Sequence, residues 1–399
     1  MDRDTETLWT KNLIWILVIQ VLYALVYHGY ATLIPFVQDE YILTKAEVGF
    51  LTSSMFIGSS LTSIPAGFIT DKIGVRNTLT LFSLIKICVL FAFLITSSYL
   101  LILILLVFLG VGYGAVAPAT NRGIMDEFTI VNRGTAMGIK QMGVPLGVVI
   151  ATILLPNIAQ LSTWRVSLFT VGIVFLIIII VFFFKYQKGK NLNGINLSLK
   201  QIKAVFFNKQ TILISVIISF FMIMQVSVTT FMVIYLYQSA SYSLGFSTFC
   251  FSLLFCGGVI GRAMWGFVSD RFFYSKRKIV LFIIGILAVL FLFLFGFINV
   301  TTPPLLLALL SLFLGITTQG WNGISIIMIA EKAKKSSVGL TTGYGLTIIN
   351  IGGVIGAPIS GFIVDVSGSY QVMWWLIALI MFIVSILMLL VNIEENKKD

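Results

Sequence analysis

Residues 67–76 of this 399-residue chain read GFITDKIGVR, and residues 266–271 read GFVSDR. The glycine and the aspartate of the first stretch recur in the second at one offset, 199 residues. Each stretch closes a long apolar run, and three further basic residues follow the second copy at positions 276–278. A weaker repetition at an offset of 205 residues relates three glycines of one half to three of the other, namely Gly134, Gly138 and Gly147 to Gly339, Gly343 and Gly352. The chain is therefore predicted to contain two similar halves.

The composition around these stretches excludes a soluble domain. Hydrophobic residues make up 58% of the chain and charged residues only 10%, whereas a soluble chain carries about 25% charged residues. A helix of about 20 apolar residues crosses the hydrocarbon layer of a bilayer. The apolar runs therefore predict an all-α membrane protein that crosses the bilayer many times.

Twelve membrane-spanning helices are predicted from the apolar runs. Those of the first half are 12–36, 48–70, 78–97, 99–120, 135–156 and 166–185, and those of the second are 210–237, 245–269, 279–299, 303–330, 338–364 and 372–392. The expected domains are an N-terminal six-helix bundle (1–185), a cytoplasmic central loop (186–209) and a C-terminal six-helix bundle (210–399). Two bundles related by pseudo-symmetry are typical of transporters that rock about a site at mid-membrane.

The basic residues predict the orientation. With the N-terminus inside, 21 of the 26 Lys and Arg residues fall in the termini and the cytoplasmic loops, and only Lys45 and Arg165 fall outside. Basic residues are retained on the cytoplasmic side during insertion. Both termini are therefore predicted to be cytoplasmic, in the cell membrane. The same distribution accounts for the net charge of +11 without nucleic acid.

The doubled loop pattern G-x-x-x-D-[KR]-x-G-x-[KR] and the arrangement of six plus six helices resemble the major facilitator superfamily. The resemblance covers essentially the whole chain and implies alternating access. It implies gating roles for the residues of the two loops, Gly67, Asp71, Lys72, Arg76, Gly266, Asp270 and Arg271. Asp71 and Asp270 lie near helix ends, where pairs with neighbouring bases would hold the cytoplasmic side shut. The alternative is that these pairs are static caps of the loops.

A narrower resemblance concerns spans four to six. The stretches PATNR (118–122), RGTAMG (133–138), GVPLG (143–147) and WR (164–165) resemble the organic-anion porters of the superfamily, the anion:cation symporters and carboxylate porters. The chain departs from the drug:proton antiporters, which carry an Arg in span four about four residues before a Gly. Here Leu106 precedes Gly110.

Charged residues within the spans indicate the substrate class. None of the 15 Asp and Glu residues falls at mid-depth, whereas Arg262, Lys140 and Lys86 do. Ionisable residues inside a membrane are expensive and mark functional sites. A positive interior without carboxylates favours anions and repels lipophilic cations. Arg262 lies about 12 Å from the end of its span at Asp270, and its planar fork suits a carboxylate or phosphate.

Each of the three bases has a structural alternative. Arg262 could fix packing by bonding backbone carbonyls, and its counterpart in the repeat is Ser63. Lys140 could supply a second positive point for an anion or extend to the cytoplasmic face. Lys86 lies in span three, which in the superfamily supports the bundle, so it faces the cavity, a neighbouring helix or lipid.

Polar and aromatic residues on the expected pathway helices complete the candidate binding site. Tyr23 and Tyr27 share one face of span one, and Gln141 follows Lys140. Span seven contributes Gln225, and span ten contributes Gln319, Trp321 and Asn322. The alternative for each is burial between helices with its polar group satisfied. His28 is a candidate proton carrier because the ordinary pKa of histidine lies near neutrality.

The sequence predicts a secondary active transporter that moves a small organic anion by alternating access, in the direction of uptake. The alternatives are an exporter of drugs or metabolites and a transporter-like sensor. An enzyme is not expected, because no nucleophile–base pair or acid pair lies in a span, and no cofactor or metal is expected. The expected partners are the anionic substrate, a candidate coupling proton and the bilayer, with no nucleic acid, and the protein is expected to be a monomer.

Overall fold

The computed structural model describes residues 10–128, 130–187, 205–274, 276–332 and 338–390. Its α-helices run over Lys11–Tyr27, Ile34–Tyr41, Lys45–Ala92, Tyr99–Gly114, Val116–Glu127, Ile130–Gln141, Gly143–Leu161, Trp164–Lys185, Lys209–Ile234, Leu244–Arg271, Arg277–Phe295, Pro304–Thr318, Asn322–Ala330, Val338–Ser367 and Tyr370–Leu390. Short 3-10 turns occupy Gly29–Leu33 and Phe93–Ile95, and a π turn occupies Tyr235–Ser239.

Within the described residues, eleven helical stretches are long and apolar enough to cross a bilayer. We number them as spans in the predicted order: span 1 is Lys11–Tyr41, spans 2 and 3 together are Lys45–Ile95, and spans 4 to 12 are Tyr99–Glu127, Ala136–Leu161, Trp164–Lys185, Lys209–Ser239, Leu244–Arg271, Arg277–Phe295, Pro304–Ala330, Thr341–Ser367 and Tyr370–Leu390. The chain is therefore a multi-pass, all-α membrane protein, and the predicted fold class is confirmed.

Spans 2 and 3 differ from the prediction, which placed a loop between them. The helix continues through this region, and only Gly74 leaves helical geometry, with φ 81° and ψ 163°. A positive φ of this kind is open to glycine and costly for residues with a Cβ. One glycine therefore turns the chain between two spans that stay helical on either side of it.

Several helices begin at polar residues that satisfy the first backbone N–H groups. Thr10, Ser98, Thr163, Asn208 and Ser243 each accept a hydrogen bond from the backbone N–H three residues later. Backbone groups within a bilayer need internal partners because no water is available there, and such caps extend that satisfaction to the helix ends. The polar breaks between apolar runs thus define where the helices start.

The described residues fold as two compact units. The first unit comprises residues 10–33 and 54–187, and the second comprises residues 34–53 together with the described residues from 205 onward. The end of span 1 and the start of span 2 thus cluster with the second unit. Most of the predicted central loop lies outside the described residues, and the predicted domain boundaries stay a prediction.

The helix packing inside the two units follows the repeat. In the first unit, a Cβ on Gly58 would overlap the carbonyl group of Val107, and one on Gly110 would overlap that of Met55. The second unit repeats both contacts at the equivalent positions, Gly257 on Leu312 and Gly315 on Leu254. Small residues let helix backbones approach closely in a membrane. Spans 2 and 4, and likewise spans 8 and 10, therefore pack backbone to backbone.

Candidate functional site

Lys86 lies inside the first unit, enclosed by aromatic rings. Its side chain is fully buried, and Nζ donates to the backbone carbonyl of Tyr23 at 3.3 Å. The same Nζ lies 4.3 Å from the ring centroid of Tyr23, 5.5 Å from that of Tyr113 and 6.0 Å from that of Phe175. The side chain neither extends to an aqueous face nor contacts lipid.

The charge of Lys86 has an unusual environment. Among the described residues, no Asp or Glu lies within ion-pair distance of it. Removing an ammonium from water costs several kcal/mol, and desolvated cation–π contacts offset about 2 kcal/mol each. Only the Tyr23 ring is close to the ammonium, whereas the other two rings lie near the limit of about 6 Å for such contacts. The rings therefore compensate only part of the cost of a positive charge at this position.

The tyrosines of span 1 pack against the other helices of the first unit. The Tyr23 hydroxyl is 2.9 Å from the Ser83 hydroxyl, and the Tyr27 ring stacks on the ring of Tyr113 at 3.9 Å and 14°. His28 Nε2 is 3.3 Å from the hydroxyl of Tyr113. Tyr23 and Tyr27 are buried, whereas His28 and Tyr113 are partly exposed. The predicted stripe thus forms one cluster with Lys86 and His28.

Lys140 is the second buried base of the first unit. Only 3% of its surface is exposed, and Nζ donates to the Asn121 side-chain oxygen at 2.5 Å. Within the described part of the chain it has no carboxylate at ion-pair distance. Its neighbour Gln141 is exposed at the end of the helix. Lys140 is therefore held in place by a neutral amide, which supplies no negative charge to balance the ammonium.

Arg262 lies in the second unit, next to the break between the two helices of span 10. Its Nε donates to the backbone carbonyl of Gln319 at 3.3 Å, and its side chain is partly exposed. Asn322 begins the next helix and donates to the side-chain oxygen of Gln225 at 3.0 Å. Trp321 is buried and donates its indole N–H to the Thr318 carbonyl. Four of the predicted site residues, Arg262, Gln225, Trp321 and Asn322, therefore belong to this unit.

Gln319, which the sequence indicated as a polar residue of span 10, has an unusual environment. The residue is 1% exposed, and neither its amide nitrogen nor its amide oxygen has a hydrogen-bond partner among the described residues. A buried polar group without a partner costs about 1–3 kcal/mol. Its Cβ fills the space beside Gly258, where a second Cβ would overlap it.

The loop aspartate of the first unit is paired within that unit. Arg122 donates from Nη1 to Asp71 at 2.7 Å and from Nε to Asp126 at 2.8 Å. Arg76 lies over the ring of Phe183 at 4.7 Å. Of the remaining predicted gating residues here, Gly67 is partly exposed and Lys72 is exposed. The expected pairing of Asp71 with a neighbouring base is present, and the base comes from the PATNR stretch.

The loop aspartate of the second unit pairs with a base that follows it in the chain. Asp270 lies 2.5 Å from Nη1 of Arg277, whose Nε reaches Glu331 at 3.4 Å. Arg277 also donates to the Ser269 hydroxyl at 2.6 Å. Of the predicted gating residues here, Gly266 is partly exposed and Arg271 is exposed. Both loop aspartates are thus paired inside their own units.

A third polar cluster, centred on Asp365, was not predicted from the sequence. Asp365 accepts hydrogen bonds from the backbone N–H groups of Lys45 and Ala46 at 2.8 and 2.7 Å. Lys45 Nζ donates to Gln238 at 2.8 Å, and Gln238 donates to Asp39 at 3.3 Å. The carboxylate thus caps the helix that starts span 2, where the helix dipole favours negative charge.

This cluster was missed because its partners are about 320 positions apart in the chain. The sequence marks only the helix start, where Thr44 and Glu47 satisfy each other's backbone N–H groups. Nothing in the local pattern identifies Asp365 as a second acceptor. The contact depends on Gly361, where a Cβ would overlap the carbonyl of Lys45.

Comparison with known families gives a match over most of the chain. The family model described as Major Facilitator Superfamily matches residues 16–326 and 265–399. Among solved structures, a bacterial homolog of the human lysosomal transporter Spinster aligns with a TM-score of 0.76 at 16% identity, covering 95% of both chains. At that identity the structural likeness concerns the fold alone.

Two curated relatives are similar along most of their length. The hexuronate transporter of Bacillus subtilis (strain 168) is 28% identical over 359 residues, which is 84% of this chain and 83% of that protein. The glycerol-3-phosphate transporter of the same organism is 26% identical over 405 residues, which is 92% of this chain and 88% of that protein. The resemblance to organic-anion members that the sequence motifs indicated is thereby confirmed.

Proposed function

Because this chain belongs to the Major Facilitator Superfamily and is a membrane transporter, we propose that it takes up a small organic anion by alternating access. The proposed location is the cell membrane, with both termini in the cytoplasm and the protein acting as a monomer. The orientation is supported by the distribution of 21 of 26 basic residues on one side of the predicted spans.

The observation that carries this proposal is a buried positive group without a resident counter-charge. Lys140 is buried, and no carboxylate of the described residues lies at ion-pair distance from it. Unscreened charge in a low-dielectric interior acts over several ångströms. An anionic solute supplies the missing negative charge, whereas a lipophilic cation adds to the repulsion.

The amides of the second unit support a substrate that carries hydroxyl groups as well as an acid. Arg262 offers the planar donor set that suits carboxylates and phosphates. Next to Arg262, the Gln319 side chain has an amide donor and an amide acceptor without partners among the described residues. Gln225 pairs with Asn322 at the break between the two helices of span 10. Sugar acids and polyol phosphates combine these two requirements, and two relatives are named for solutes of this kind.

The test is solute exchange in proteoliposomes containing the purified full-length protein. Vesicles loaded with glucuronate, galacturonate or glycerol 3-phosphate are diluted into the same labelled solute, and counterflow is recorded. At least one anion should exchange, while neutral glucose and the lipophilic cation tetraphenylphosphonium should not. Exchange of the cation, or of glucose alone, would contradict the proposal.

Arg262→Ala is expected to weaken the apparent affinity for the exchanged anion by about 30-fold or more, since losing one partner of a charged hydrogen bond costs about 2–5 kcal/mol. Arg262→Lys keeps the charge but not the planar donor set, so its apparent affinity should lie between those of the wild-type protein and Arg262→Ala. Lys185→Ala, an exposed base outside the proposed site, serves as the control. Unimpaired exchange by Arg262→Ala in correctly inserted protein would exclude this residue from the site.

A further inference from the structure

The proposed binding of the anion does not explain why an amine is enclosed by tyrosine rings in the first unit. Lys86 lies deeper than the partly exposed His28 and Tyr113 and is itself fully buried. Coupling to a proton normally needs a group in the spans that gains and loses one, and no acid lies at mid-depth in this chain. A basic side chain can serve equally well if its charge depends on the solute.

We propose that Lys86 carries the coupling proton, so that one proton enters the cell with each anion. This inference rests on the proposed anion transport. The lone pair of the neutral amine takes up a proton from the outside solution, forming an ammonium whose counter-charge is the bound anion. When the anion leaves on the inside, the ammonium loses that counter-charge and releases the proton there, which restores the amine.

The groups around Lys86 fit this cycle. Span 1 contributes Tyr23 and span 4 contributes Tyr113, both through ring faces, and span 6 contributes Phe175. The Ser83 hydroxyl, on the same helix as Lys86, bonds Tyr23. Among the described residues, no carboxylate forms an ion pair with the amine. Within that part of the chain, the counter-charge of the ammonium is therefore left to the solute.

His28 is placed to pass the proton rather than to store it. The imidazole is partly exposed and lies 3.3 Å from the hydroxyl of Tyr113, whose ring faces Lys86. A partly exposed group keeps part of its solvation in both protonation states, so its charge responds less to the solute. A fully enclosed amine lacks that solvation and responds strongly.

The experiment separates exchange from accumulation. Proteoliposomes that contain the wild-type protein, Lys86→Met, Lys86→Arg or the control Lys185→Met are tested with glucuronate, galacturonate and glycerol 3-phosphate. Counterflow is measured without a pH gradient. Accumulation is measured with the interior one pH unit more alkaline and with the membrane potential clamped at zero, and solute-driven proton entry is followed with a pH-sensitive dye inside the vesicles.

The wild type and Lys185→Met should accumulate a monoanion about tenfold, the limit for one proton per anion at one pH unit. Lys86→Met and Lys86→Arg should retain counterflow but show no accumulation and no proton entry, because neither side chain cycles between the two states. Wild-type accumulation by Lys86→Met, or none by the wild-type protein, would overturn the inference. Loss of counterflow in both variants would overturn it in favour of a binding or packing role. Absence of counterflow in the wild-type protein for every anion would instead reject the proposed function.

Discussion

The bases that lie within the spans have different surroundings in the two units, although the units arise from one repeated pattern. Lys86 of the first unit is enclosed by aromatic rings, whereas Arg262 of the second unit is partly exposed and lies among amides. The glycine contacts that set the helix packing are repeated at equivalent positions, as Gly58 and Gly257 illustrate. The repeat therefore preserves the backbone scaffold and leaves the polar groups free to differ.

One exchange of residues illustrates how the polar groups diverged. In the first unit Gly114 packs on Ser59, and at the equivalent positions of the second unit Gln319 packs on Gly258. The glycine of this contact lies on span 4 in the first unit and on span 8, the equivalent of span 2, in the second unit. Each crossing therefore keeps one glycine, and the two helices approach closely in both units. The second unit thereby gains a long amide at this crossing, next to Arg262.

The largest expected effect is on the shared scaffold. Gly110→Ala and Gly315→Ala each place a methyl group on a backbone carbonyl of the neighbouring span. We expect each to destabilise its unit by about 1–3 kcal/mol, the usual range for overpacking, because backbone atoms cannot move aside as side chains do. Thermal unfolding in detergent measures the effect. Gly138→Ala and Gly323→Ala, where a Cβ meets nothing within 4 Å, are the matched controls. A clear loss from only one of the two test variants would show that the crossings are not equivalent.

An intermediate effect is expected where the units differ. Gln319→Met removes a buried amide without a partner among the described residues, so thermal stability should stay the same or rise by about 1 kcal/mol. The affinity for the transported anion should fall about tenfold if the amide binds it, a change of about 1.4 kcal/mol. Unfolding temperature and counterflow are measured on the same preparation. Unchanged affinity would remove Gln319 from the binding site, and a loss of stability would show that a bound water satisfies the amide.

The smallest effect is expected at the two loop aspartates. Asp71→Asn and Asp270→Asn each remove one charge from an exposed pair, and each arginine keeps a second acid, Asp126 or Glu331. Exposed pairs contribute about 0–1 kcal/mol. Thermal unfolding should therefore change by less than that, and more salt should reduce the difference further. A loss above 2 kcal/mol in either variant would mean that the pair carries more than a local role.

The sequence predicted the positions of the spans because apolar runs and polar breaks are local features. It also indicated a basic partner for Asp270, because Arg277 lies seven positions away. The partner of Asp71 is Arg122, 51 positions away, and only the packing brings the two together. The role of Tyr23 and Tyr27 was harder to anticipate. Helical spacing places them on one face, but only the packing shows that this face meets Tyr113 and Ser83.

By itself, the sequence determined an all-helical membrane protein with two related halves and more positive than negative charge inside its spans. Periodicity and composition are sufficient for this, because the bilayer admits few backbone structures. Only the tertiary structure decided that Lys86 is enclosed by rings, that Gln319 has no partner among the described residues, and that Asp365 caps a helix distant in the chain. Such contacts join residues far apart in sequence, and the energy of a buried polar group depends on its neighbours in space.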